Sequence, residues 1–298
     1  MITLGLPYKG SKSSIAGDIV KKLPPGGKIL DACCGGGAVL MALAMSLKYD
    51  KVVGNDLNAA TIRLLDAVLI NKGQIDYEHP SLCSRDDFFN SLQRIENGDF
   101  DIQDCVNKYC ASFGNDGKTY LYGEQIEQYK LITERMLTAP TLSERRKFYR
   151  KFFDIVTKNE DDDGRLQKLE FVQRLQSLER LERLERLDIF DIDYSEFDIV
   201  YFDIPYKGTN KYDFEFDYAR FYDLFSSLKI PAFLSEYESP FTEVAEFEKT
   251  QLMAASVGSS KSTTKEKLYF NGTKEQYRSL MGRFYEDSGF PGQVELGL

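Results

Sequence analysis

The stretch Lys28-Ile29-Leu30-Asp31-Ala32-Cys33-Cys34-Gly35-Gly36-Gly37 decides the fold. Its first half is a short apolar run of the kind that forms a buried strand, and three glycines follow almost at once. Glycine lets the backbone turn sharply and come close to a ligand at the start of a helix. An apolar helix over about residues 38–47 continues the chain. Val52-Val53-Gly54-Asn55-Asp56-Leu57 then reads as a second strand, with a helix after it over about residues 58–70. Strand, glycine turn, helix and strand are the opening of a doubly wound α/β sheet.

Working outward, the pattern stops. Between about residues 77 and 187 helical periodicity and loops replace the alternation of strand and helix. Asp198-Ile199-Val200-Tyr201-Phe202-Asp203 resumes it, followed by a helix near residues 218–228. Pro231-Ala232-Phe233-Leu234-Ser235-Glu236-Tyr237 supplies another strand, and Lys267-Leu268-Tyr269-Phe270 a late one. The expected organisation is one Rossmann-like α/β domain made of residues 1–76 and 188–298, interrupted by a mostly helical insertion over 77–187. Two stretches of that insertion stand out. Glu144-Arg145-Arg146-Lys147-Phe148-Tyr149-Arg150-Lys151-Phe152-Phe153 packs basic residues among aromatics. From Leu178 to Leu187 the chain repeats Leu-Glu-Arg. A period of three drifts by about 60° per repeat on an α-helix. The repeat therefore reads as a solvated helix carrying Glu179–Arg183 and Glu182–Arg186 ion pairs.

Composition removes whole classes of function. Hydrophobic residues make up 42% and charged residues 29%, ordinary for a globular domain, and 298 residues are ample for a buried core. No apolar run approaches the ~20 residues that span a bilayer. The N-terminal residues lack the charged start and apolar middle of a signal peptide, so a cytoplasmic protein without membrane partners is expected. Five cysteines with no paired Cys-x-x-Cys and a single His79 argue against a zinc site, and no metal is expected. His79 also has no serine or cysteine motif beside it, which argues against histidine-activated nucleophiles. The net charge of −9 speaks against a nucleic-acid partner at first sight. DNA, however, responds to the field within about 10 Å, and an acidic protein can present a basic face.

The glycine turn gains meaning from Asp56, which ends the next strand. A carboxylate there is placed to accept hydrogen bonds from a ribose, as in dinucleotide folds. A tight turn with a helix-capping acid is the plainer alternative. A full Gly-x-Gly-x-x-Gly fingerprint is missing, which weakens a nicotinamide-dinucleotide reading. Asp203-Ile204-Pro205-Tyr206 follows an apolar strand whose end lies where ligands bind in this architecture. Asp203 can accept from an amine, Pro205 stiffens the turn, and Tyr206 offers a flat face to a base. An exocyclic adenine amine is a poor nucleophile because its lone pair is delocalised into the ring. Acceptors at its hydrogens localise that lone pair.

These motifs carry a resemblance. Asp203-Ile204-Pro205-Tyr206 resembles the Asp-Pro-Pro-Tyr motif of N6-adenine DNA methyltransferases. Pro7-Tyr8-Lys9-Gly10-Ser11-Lys12 is similar to the N-terminal motif of their Dam-like group. Residues 31–37 resemble its cofactor motif, and Asn55-Asp56-Leu57-Asn58 its acidic ribose motif. Ser112-Phe113-Gly114-Asn115-Asp116-Gly117-Lys118-Thr119-Tyr120-Leu121-Tyr122-Gly123 and the 230–237 strand look like phage-type members. The motifs also stand in the family's order across most of residues 5–240. The resemblance implies a Rossmann-like methyltransferase sheet with an inserted target-recognition domain, S-adenosylmethionine as cofactor and double-stranded DNA as partner. It implies that Tyr8, Lys12, Asp31, Gly35, Gly37, Asp56 and Asp203 form the cofactor site, and that Asp203, Pro205 and Tyr206 hold a flipped-out adenine. Arg145, Arg146, Lys147, Arg150 and Lys151 are the candidate DNA contacts. The family includes restriction–modification enzymes, although no residue here identifies a restriction-endonuclease partner. Ile204 departs from the family's proline and predicts a looser turn and a slower enzyme. Two other readings stay open at this point: a methyltransferase acting on RNA or on a protein amide, and a DNA- or cofactor-binding homologue with weakened catalysis.

Overall fold

A computed structural model describes residues 4–75, 83–123, 141, 143, 146–147, 178–206, 216–252 and 261–287. The chain divides into two compact units. One is built from Met1–Gly5, Ser11–Ile62 and Gln176–Leu298, the other from Leu6–Gly10 and Arg63–Leu175.

The first unit holds a seven-stranded sheet. Its strands are β1 (Gly26–Asp31), β2 (Tyr49–Asn55), β3 (Leu181–Glu185), β4 (Ile199–Phe202), β5 (Ala232–Glu236), β6 (Thr242–Leu252) and β7 (Lys261–Phe270), in the order β3-β2-β1-β4-β5-β7-β6. Strands β1 to β5 run parallel, and β7 is antiparallel to both β5 and β6. β4 is buried along its whole length, as its unbroken apolar run requires of a parallel strand covered on both faces. The direction of winding reverses between β1 and β4, which opens a crevice at the carboxyl ends of these two strands.

Helices α1 (Ala16–Lys22) and α2 (Ala38–Met45) belong to this unit, and α3 (Ala59–Leu69) begins in it. The glycine turn after β1 works as its sequence predicts. Gly35 and Gly37 take positive φ of 47° and 76°, and Gly37 starts α2. Gly5 passes so close to the turn that a Cβ on it would lie 2.6 Å from the Gly36 carbonyl oxygen. Behind the crevice a core of Leu30, Val53, Val200, Phe202, Phe221, Phe225 and Leu234 supports the edge of the sheet.

The Leu-Glu-Arg repeat corrects the sequence reading. Leu181–Glu185 is not a helix but β3, the edge strand paired with β2. A three-residue period offers a helix no single apolar face, whereas an edge strand needs little more than the buried Leu181. The charges pair accordingly: Glu182 meets Lys51 at 2.9 Å on β2 and Lys28 at 3.4 Å on β1, in place of the expected i,i+4 pairs. The sheet therefore takes up residues assigned to the end of the insertion. β6 is a further strand that the apolar pattern does not announce.

In the second unit α4 (Arg85–Asn97) and α5 (Ile102–Cys110) each begin with a reciprocal capping box, Ser84 with Asp87 and Asp101 with Asp104. Arg94 pairs with Asp104. After α5, Ser112 and Tyr120 bridge a tight loop whose Gly114, Asn115 and Gly117 all have positive φ. Phe88, Ala111 and Tyr120 form a small core there.

Asn55 ties the sheet edge together. Its buried amide donates to the carbonyls of Ala32 (3.0 Å) and Leu187 (3.1 Å), and its Oδ1 accepts from the Leu187 amide (2.8 Å). Asn55→Ala leaves these backbone groups without partners and should lower the unfolding free energy by about 2–3 kcal/mol. Urea unfolding checks this; an unchanged midpoint at unchanged slope would mean that water replaces the amide.

Candidate active site

Strand register brings three carboxylates to one edge. Asp31 is paired with Gly54 on β2 and Tyr201 on β4, and Asp56 and Asp203 each lie two residues beyond those partners. Asp31 is 1% exposed, and among the described residues neither of its oxygens has a hydrogen-bond partner. Burial pushes its carboxyl well above the usual carboxylate range, and the charges of Asp203 and Asp56 push it further; Lys12 and the nearby Cys33 backbone oppose this only in part. Asp56 is partly exposed. Its Oδ2 accepts from the Gly35 amide at 2.9 Å and its Oδ1 from the Asn58 amide at 2.8 Å, so it holds the glycine turn against the start of α3. Burial raises the Asp56 carboxyl, these two amides oppose the shift, and Asp203 adds to it.

Lys12 answers this acidity. Its buried ammonium lies 2.7 Å from Asp203 Oδ1 and 3.2 Å from Glu266 Oε1, and 4.6 Å from the centre of the Tyr206 ring. Burial alone would lower the lysine, but the two carboxylates outweigh it and the net shift is upward, so the ammonium stays protonated. Tyr206 donates its hydroxyl to the same Glu266 oxygen at 2.8 Å, and its ring meets Tyr237 edge-on at 4.6 Å. Glu266, on β7, carries no motif that marks it in the sequence. In Thr264-Lys265-Glu266-Lys267 it looks like part of a solvated alternation of charge, yet it is 1% exposed.

The turn after β4 is held in two ways. The Ile204 side chain is 2% exposed and packs into the core with Phe202 and Phe221. Tyr218, at the start of α6 (Tyr218–Ser227), donates its hydroxyl to the Pro205 carbonyl at 2.8 Å. Packing and a hydrogen bond thus supply constraint where the expectation from Ile204 was a looser turn.

The structure brings together Lys12, Asp31, Gly35, Gly37, Asp56, Asp203, Pro205 and Tyr206 in the first unit. Tyr8 belongs to the second unit, where its ring lies 5.9 Å from that of Tyr109. Arg146 and Lys147 are exposed helical residues, while Arg145, Arg150 and Lys151 lie outside the described residues. Cys33 and Cys34 sit beside the acids, and burial pushes both thiols well above their ordinary value, so they are neutral here. Among the described residues there is no cluster of metal-ligating side chains and no helix long and apolar enough to cross a membrane.

Such a site, with more acids than cations, glycine-lined and ending in Asp-Ile-Pro-Tyr, suits a cationic ligand beside an amine. The family of D12 class N6 adenine-specific DNA methyltransferases matches residues 8–242. The chain belongs to that family. It is a DNA methyltransferase that modifies the N6 amine of adenine, and it draws on a methyl donor. Comparison with curated proteins gives no sequence match. In the methyltransferase the glycine turn, Asp56 and the Asp203–Tyr206 turn lie at the edge of the α/β sheet, while Tyr8 and the 112–123 motif belong to the second unit.

The buried Asp31 carboxyl, raised by desolvation, has a consequence for stability. A carboxyl raised in the folded state stabilises the fold at low pH, where it is neutral, and loses that contribution as pH rises through its folded value. Asp31→Asn removes the charge and keeps the shape. The ligand-free variant should be more stable than wild type by about 1–3 kcal/mol at pH 8, and the gain should fade below about pH 4. Thermal unfolding across that range checks it; equal stability at pH 8 would show that Asp31 finds a partner.

Proposed function

We propose that the methyl donor is S-adenosylmethionine and that it lies across the carboxyl ends of β1, β2 and β4. The observation that carries this reading is the buried Asp31 carboxyl, which among the described residues has no closer partner than the Cys33 backbone and stands among acids beside the glycine turn, a place that a ligand ammonium would complete. When bound, S-adenosylmethionine supplies a methyl group activated on a sulfonium centre. Asp56 would accept from the ribose hydroxyls. Leu57, which follows Asp56, and Leu187, whose backbone is hydrogen-bonded to Asn55, are 51% and 41% exposed and would offer apolar surface to the base of the cofactor. Lys12 would hold Asp203 in place while the surplus of carboxylates favours a cation.

The substrate adenine would leave a double helix to reach the turn after β4. Lys12 occupies Asp203 Oδ1, and among the described residues Oδ2 accepts no hydrogen bond. The Pro205 carbonyl is engaged by Tyr218, which leaves the Ile204 carbonyl as the second acceptor. Two acceptors at the amine hydrogens pull the nitrogen towards a pyramidal shape and localise its lone pair for attack. Tyr206 would lie against the base. The insertion over 77–187, shortened by β3, would carry target recognition, and a DNA substrate is what supports a cytoplasmic enzyme.

Calorimetry and a methylation assay test this site. Asp56→Ala should weaken S-adenosylmethionine binding by about 1–3 kcal/mol. Asp203→Ala should abolish transfer to adenine in a duplex while the protein still binds DNA. Wild-type affinity in the first variant, or wild-type turnover in the second, would remove that residue from the site.

A second measurement concerns DNA. Replacing Arg145, Arg146 and Lys147 together by glutamine should flatten the salt dependence of DNA binding by up to about three units of slope if all three meet phosphates. Cofactor affinity should stay constant. An unaltered slope would make the run a solvated helix face.

A further inference from the structure

Glu266 reaches the site from an unexpected direction. It lies on the antiparallel strand β7, where Lys267 pairs with Glu236 at the end of β5, so Glu266 stands just past the carboxyl edge of the parallel sheet. It is buried, and a buried carboxylate persists only when hydrogen bonds and charge compensate it. Here one oxygen accepts from the Tyr206 hydroxyl at 2.8 Å and faces the Lys12 ammonium at 3.2 Å. The same ammonium binds Asp203 at 2.7 Å and lies over the Tyr206 ring. Asp203, Lys12, Glu266 and Tyr206 therefore form a closed arrangement in which each group fixes the next.

We infer that Glu266 is a positioning residue for methyl transfer, holding the Lys12 ammonium and the Tyr206 hydroxyl together so that Asp203 and Tyr206 face the adenine in fixed directions. This rests on the assignment of Asp203 and Tyr206 to the reacting base. Without the carboxylate, Asp203 is the one carboxylate left within ion-pair distance of Lys12 among the described residues, and the ammonium moves towards it. The tyrosine hydroxyl loses a charged acceptor, and its ring gains freedom about the side-chain torsions. Both movements act on the groups that define the approach of the amine, and small misplacements of such groups are costly to rate. The Glu266 carboxylate converges on Lys12, from the segment before α1, and on Tyr206, from the turn after β4, the two groups that flank Asp203.

Glu266→Gln tests this, because glutamine keeps the size and an acceptor oxygen while removing the charge. The melting temperature and the DNA affinity should stay at wild-type values. The kcat should fall by about ten- to a hundredfold with KM for DNA unchanged. The pH profile gives the second readout. Lys12 is faced by Asp203 and Asp31 at the strand ends, by Glu266 on β7, and by Tyr206 and Tyr237. Removing the Glu266 charge takes away one of the acids that keep it protonated, so the alkaline limb of kcat should move to lower pH. Glu266→Asp should restore that limb and only part of the rate. Wild-type kcat and an unmoved limb in Glu266→Gln, beside an inactive Asp203→Ala, would overturn the role of Glu266 and leave the site assignment standing. A variant that loses stability, DNA binding and rate together with no movement of the limb would show a structural residue and also overturn it. Wild-type turnover in Asp203→Ala would overturn the assignment and the inference with it.

Discussion

Lys12 carries the positive charge on which this site depends. A parallel sheet ends its strands at one edge, and here Asp31, Asp56, Asp203 and Glu266 all arrive at that edge. Carboxylates gathered in a partly buried space repel one another and lose hydration, so such a cluster is unfavourable unless something compensates it. The structure compensates unevenly. Asp56 is met by two backbone amides, Asp203 and Glu266 by the Lys12 ammonium, and Asp31 by no hydrogen-bond partner among the described residues. What is left over is negative, and it lies in the crevice where the winding of the sheet reverses. The proposed S-adenosylmethionine, which carries positive charge on its sulfonium and ammonium groups, would relieve that charge, and would do so less once its methyl group had gone.

Binding and folding are thus set against each other at Asp31. The group that makes the empty site unfavourable at neutral pH is the one that a ligand ammonium would satisfy. Local instability retained at functional positions is a common trade in enzymes, and in the proposed site the raised Asp31 carboxyl would be its source.

Much of this was legible in the sequence, and what was not has a physical pattern. β1, β2, β4 and β5 are apolar runs because they lie inside the sheet and are covered on both faces. The two strands that went unread, β3 and β6, are its two edges. Edge strands bury little and carry charge, so Leu181–Glu185 and Thr242–Leu252 lack the signature of a core strand. The site followed the same rule. Asp31, Asp56 and Asp203 were readable because each closes an interior strand and stands beside a turn. Glu266 was not, since it comes from β7, sits between two lysines, and becomes part of the site only through antiparallel pairing with β5. Chain order gives no hint of that pairing.

Ile204 shows how a departure from a motif can be absorbed. A proline in that position constrains the chain through its ring, whatever surrounds it. Isoleucine constrains nothing by itself, and from sequence alone the turn looks loosened by the loss. In the fold its side chain is buried in the same core cluster as Phe202 and Phe221. The next residue is still proline, which restricts Ile204 to extended conformations, and the Tyr218 hydroxyl fastens the Pro205 carbonyl from the start of α6. Three separate restraints therefore act on two peptide units. The freedom that one ring would have removed from the unfolded chain amounts to about 0.4–1 kcal/mol. Burying a side chain of this size contributes about 1.5–3 kcal/mol. Burial of Ile204 and the Tyr218 hydrogen bond thus act on the turn from the core beneath it, a source of restraint separate from the ring that the motif prescribes.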